Sequence, residues 1–113
     1  MALRIELLYF DGCPSHEAFL PRLRKLLDRA GVDDPVSERR VESDDAAQRE
    51  RFLGSPTLRV DGIDIDPAAG RRTDYGLRCR LYPTDWGLRG MPPDEWVLKA
   101  LQRTDRRPRR TAR

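Results

Sequence analysis

At 113 residues the chain is long enough for one domain with its own core, without disulfide or metal staples. Charged residues make up 36% and aromatics 7%, so the core must be modest and the surface strongly polar. The net charge of +3 is unevenly placed: residues 103–113 carry six arginines against Asp105 alone, which leaves the rest mildly acidic and argues against a nucleic-acid-binding domain outside that basic tail.

There are two cysteines, Cys13 and Cys79, and one histidine, His16. They form no zinc-ligand set at a recognisable spacing, so no metal is expected. No stretch approaches transmembrane length. The N-terminal apolar run is short and contains Arg4 and Glu6, unlike a signal peptide. The expectation is a cytoplasmic protein without a membrane partner. In that reducing compartment cysteines are more often chemical than structural.

In chain order, Leu3 to Phe10 reads as an inner strand, apolar enough to be covered on both faces. Asp11-Gly12 is a tight turn. Cys13 follows, and Pro14 suits the first position of a helix because its missing N–H has no partner there. The helix is predicted to reach about Ala30, with Phe19, Leu23, Leu26 and Ala30 at helical spacing, Leu20 and Leu27 widening the stripe, and Gly31 as its stop. Pro21 inside it predicts a kink or a first-turn irregularity. Cys13 thus falls at a helix N-terminus, where backbone N–H groups favour a thiolate.

Val36 to Val41 is the candidate second strand. Ser43 to Leu53 reads as a short helix, with Ser43 as N-cap and Asp44 and Asp45 in the first turn. Thr57 to Val60, Asp61-Gly62, and Ile63 to Ile65 form a two-residue hairpin signal. Its register pairs Val60 with Ile63 and Leu58 with Ile65, all on one face. Asp66 to Met91 has no clear period, but Leu77, Leu81, Tyr82 and Trp86 predict an ordered, packed loop. Pro92, Pro93 and Asp94 open a last helix to about Gln102, with Trp96, Val97, Ala100 and Leu101 apolar. Residues 104–113 read as a disordered arginine-rich tail after a domain spanning residues 1–103.

The order βαβαββα, with Gly12-Cys13-Pro14-Ser15-His16 before the first helix and Ser55-Pro56-Thr57 before the hairpin, resembles the minimal, glutaredoxin-sized thioredoxin-like fold. The resemblance covers most of residues 3–102. It implies an α/β fold with a four-stranded mixed sheet, three main helices and a long loop before the last. It places Cys13 where that family keeps its redox C-x-x-C motif, and Pro56 where it keeps a cis-proline. His16 stands in place of the second motif cysteine, so disulfide exchange within the motif is impossible. What remains resembles monothiol members, or relatives without redox activity. The GCPSHE context is also similar to small bacterial thioredoxin-like proteins grouped with organomercurial lyases.

These residues carry competing readings. Cys13 is either a nucleophile or a small half-buried residue retained from a redox ancestor. His16, one turn along, either stabilises the thiolate or is an ordinary polar residue. Topology brings the loop bearing Cys79 to the same sheet edge as Cys13, so Cys79 is the candidate resolving thiol, with external glutathione as the alternative. Otherwise it is a packed loop residue. The resemblance implies a groove shaped by Pro14, Ser55, Pro56 and Thr57, in which the Ser55 backbone pairs with an extended substrate. Tyr9, Phe10 and Trp86 are candidates to flank it. Arg71, Arg72, Arg78, Arg80 and Arg89 form a candidate anion site for a glutathione carboxylate. The expected activity is thiol–disulfide exchange with a small thiol or a disulfide-bearing protein and no resident cofactor. The rivals are a non-catalytic peptide-binding module and capture of a soft ion such as mercury or arsenite by Cys13 and Cys79.

Overall fold

The computed structural model describes residues 3–105. The described residues form a mixed α/β structure with three α-helices and a four-stranded mixed sheet. Strand β1 (Ile5–Tyr9) lies between β2 (Val36–Arg40), which runs parallel to it, and β3 (Thr57–Val60), which runs antiparallel. Strand β4 (Ile63–Asp64) closes the order β2-β1-β3-β4. The apolar run in β1 explains its inner position: Ile5, Leu7 and Leu8 are all buried, Leu7 opposite Leu58.

Helices α1 (Pro14–Arg29) and α3 (Asp94–Asp105) cover one face of the sheet. Phe19, Leu23, Leu26 and Leu27 of α1 meet Val97, Ala100 and Leu101 of α3 over Ile5, Leu7, Leu58 and Val60. Each such large apolar side chain contributes roughly 1.5–3 kcal/mol when fully buried. Ala30, expected in the α1 stripe, is exposed because it caps the helix rather than continuing it. Helix α2 (Asp44–Glu50) covers the other face, where Ala47 and Phe52 pack on Leu8 and Val41.

Local chemistry sets the boundaries. α1 is one continuous element through Pro21, which lies on the exposed side, so the Glu17 carbonyl it leaves without a donor can be hydrated. Ser43 caps α2 by accepting from the Ala46 N–H at 3.0 Å. α2 stops at Glu50 because Arg51 turns left-handed (φ 56°), and Phe52 and Leu53, expected within it, are buried beyond its end. Asp61 (φ 53°) and Gly62 (φ 83°) form the hairpin turn with the anticipated Val60–Ile63 pairing. Leu58, Val60 and Ile65 are buried, but Ile63 is 51% exposed at the open edge of the sheet.

The segment after β4 is not a plain loop. It contains a 3-10 turn (Ala69–Arg71) and a separate hairpin of β5 (Tyr82–Thr84) and β6 (Gly87–Arg89). The order βαβαββα therefore gains two strands before α3. α3 runs past Gln102 to Asp105, and the arginine-rich residues 106–113 lie outside the described residues. Among the described residues no helix is long and apolar enough to cross a membrane.

Candidate functional site

Strand β1 delivers the chain to the Asp11-Gly12 turn, and Cys13 is the N-cap residue of α1. Its backbone is extended, and its side chain makes no cap. Instead the thiol donates to the Ser55 carbonyl at 3.7 Å. Cys13 is 3% exposed. Pro14 takes the first helical position, as anticipated.

The Ser55–Pro56 peptide bond is cis. Ser55 is fully buried, and both of its backbone groups are paired within the chain. Its N–H donates to the Arg78 carbonyl at 2.8 Å, and its carbonyl accepts from the Arg80 N–H at 2.9 Å. Residues 78–80 thus lie alongside Ser55 as a one-bridge parallel strand, with Cys79 opposite Ser55. We call this segment the strap. Gly54 permits the approach: its φ is +129°, and an added Cβ would lie 2.9 Å from the Arg80 Cβ and 3.0 Å from the Arg78 carbonyl oxygen.

This pairing brings the two cysteines together. Both are free thiols, and Cys13 is near enough to bear on the pKa of Cys79. Cys79 as a residue is exposed, but loss of water around its thiol, and then the adjacent Cys13, raise its pKa above the ordinary value of 9.0.

A buried polar knot anchors the strap. Arg80, 2% exposed, reaches Asp64 at 2.8 and 3.2 Å, Asp66 at 3.2 Å and Thr57 Oγ1 at 2.9 Å, and its guanidinium lies 4.8 Å from the Tyr82 ring centroid. Thr57 in turn donates to the Gly54 carbonyl at 2.6 Å. The Tyr82 hydroxyl donates to the Pro56 carbonyl, and its ring packs edge-on to Trp96 of α3 at 6.0 Å. Burial pushes the Tyr82 phenol well above its ordinary range, so it remains the donor.

Other expected residues have different partners. The His16 Nε2 pairs with Glu38 at 3.1 Å, and its ring stacks on Tyr9 at 3.8 Å. Phe10 is half-buried against the α2 cluster. Trp86 is 80% exposed at the turn of the β5–β6 hairpin. The five-arginine anion site is not assembled. Arg72 and Arg78 are held by Asp74, Arg80 is buried in the knot, and Arg89 donates to the Leu88 carbonyl.

Two surface clefts, of about 590 and 750 Å³, lie along α3, and neither is lined by Cys13 or Cys79. Among the described residues no group of three or more His, Cys, Asp or Glu side chains is placed to hold a metal ion. The knot of Arg80, Asp64, Asp66 and Tyr82 escaped sequence reasoning, which treats a loop arginine as solvated. The only signal was alternation: Cys79 and Leu81 face solvent, while Arg80 and Tyr82 face inward. No protein-family model, curated protein or solved structure matches the chain.

Proposed function

We propose that this is a thioredoxin-like protein in which Cys13 and Cys79 form a dithiol–disulfide couple for thiol–disulfide exchange. The observation that supports this reading is geometric: the strap sets Cys79 opposite Ser55, whose carbonyl accepts from the Cys13 thiol at 3.7 Å. The cysteine at the head of α1, the cis Ser55–Pro56 bond and the two helices on one face of the sheet are the features it draws on. His16 has no sulfur to offer, so the strap supplies the second thiol. In a full cycle an external disulfide gives up its S–S bond and leaves as two thiols, while Cys13 and Cys79 lose their protons and form one S–S bond. The partner is a small thiol or disulfide such as glutathione, or a protein bearing one.

The peptide-binding rival is disfavoured by the same bridge, because the Ser55 N–H and carbonyl that would pair with an extended peptide are occupied by Arg78 and Arg80. The test is oxidation of the purified protein with excess glutathione disulfide, then mass mapping of an unreduced digest. The expected product joins the Cys13 and Cys79 peptides, and Cys13→Ser or Cys79→Ser abolishes it. Only glutathione adducts or intermolecular links, with no internal disulfide, would rule the reading out.

A further inference from the structure

We propose that Cys79, not Cys13, is the sulfur that exchanges with the outside partner, and that this partner is a small or end-on disulfide rather than an extended peptide. The inference rests on the exchange reading and fixes its direction.

Attack at sulfur depends on thiolate fraction and on which sulfur can be approached; the raised Cys79 pKa slows its attack near neutral pH, but access decides here because the rival sulfur is buried. Cys13 is 3% exposed, with its thiol turned to the same Ser55 carbonyl that accepts the Arg80 N–H of the strap. Cys79 is exposed, beside the exposed Arg78 and the 57% exposed Leu81. An extended substrate would need the Ser55 backbone, and residues 78–80 already use both of its hydrogen-bonding groups. Opening that path would lift the strap and carry Cys79 away from Cys13. A compact disulfide meets Cys79 from solvent and leaves the strap in place.

The chemistry balances in two steps. The Cys79 thiolate attacks one sulfur of the external disulfide. That S–S bond breaks, the first thiolate leaves and takes up a proton, and a mixed disulfide remains on Cys79. The Cys13 thiolate then attacks the Cys79 sulfur, expels the second thiolate and closes the internal disulfide. In the reverse direction an external thiolate attacks the Cys79 sulfur, and Cys13 leaves at the head of α1, where backbone N–H groups favour negative charge.

The test compares the full-length wild type, Cys13→Ser, Cys13→Ala and Cys79→Ser with glutathione disulfide, using timed quenching and mass mapping of each adduct. Both Cys13 variants are expected to hold glutathione on Cys79, and Cys79→Ser to label Cys13 at least about tenfold more slowly. A brief iodoacetamide pulse on the wild type, which needs no substitution, is expected to modify Cys79 first. A second substrate, a disulfide at the centre of an extended peptide, is expected to react no faster than glutathione disulfide. The inference is overturned if Cys13 is labelled as fast as Cys79, if the pulse marks Cys13 first, or if the extended peptide reacts markedly faster. Glutathione held on Cys79 without any internal disulfide in the wild type would sink the exchange reading and leave this assignment standing. Inert thiols would sink both.

Discussion

Ser55 works through its backbone. Its N–H binds the Arg78 carbonyl, and its own carbonyl receives both the Arg80 N–H and the Cys13 thiol. Its hydroxyl is buried with no partner. A buried hydroxyl without a hydrogen bond costs roughly 1–3 kcal/mol. Ser55→Ala is therefore expected to stabilise the protein by about 1 kcal/mol, read as a higher urea midpoint at unchanged slope. Internal disulfide formation should keep its wild-type rate, because every contact that positions the cysteines is retained. A lower midpoint would show that the hydroxyl has a partner. His16 is the converse case. Its place in the chain offered either a thiolate partner or an ordinary polar residue; its ring stacks on Tyr9 and its Nε2 pairs with Glu38.

At the scale of elements, the strap decides whether Cys79 counts at all. Gly54→Ala attacks it from beneath: the new Cβ meets Arg80 and the Arg78 carbonyl at about van der Waals overlap, and φ +129° disfavours any side chain there. The expected cost is about 1–3 kcal/mol. The more telling effect is on chemistry: at denaturant-free conditions, where the variant is folded, internal disulfide closure should slow while alkylation of Cys79 stays fast. Wild-type closure would mean that the strap does not set the geometry. The strap was also the least legible element. The apolar period of β1 and α1, the Ser43 cap and the Asp61-Gly62 turn are local signals, and each predicted its element within a few residues. The strap is held by Arg80 reaching Asp64 and Asp66, a charged cluster whose burial no local pattern announces. That the loop bearing Cys79 leaves from the Cys13 edge of the sheet was legible from topology, but its register opposite Ser55 was not. That register depends on a two-bond backbone match and on the close approach that the missing side chain of Gly54 permits.

For the whole molecule, the internal disulfide would link the head of α1 to the strap across a chain separation of 66 residues. Closing a loop of that size lowers the entropy of the unfolded chain and stabilises the folded state by up to about 4 kcal/mol. In the reduced protein the strap already sets Cys79 opposite Ser55, the acceptor of the Cys13 thiol, and the knot of Arg80 and Tyr82 already fixes the strap, so the folded state gives up little freedom on oxidation. The oxidised protein is therefore expected to have a higher urea midpoint than the reduced one. The shift should vanish with reductant and be absent in Cys79→Ser. The same free energy must appear in the redox equilibrium, because folding and oxidation form a closed cycle. If oxidation stabilises the fold by about 4 kcal/mol, the folded couple is harder to reduce than the unfolded couple by about 90 mV. Titration of the folded and urea-unfolded protein against glutathione measures that difference independently. Equal midpoints for oxidised and reduced protein would mean that bridging strains the strap, and the glutathione titration should then show no difference between folded and unfolded couples.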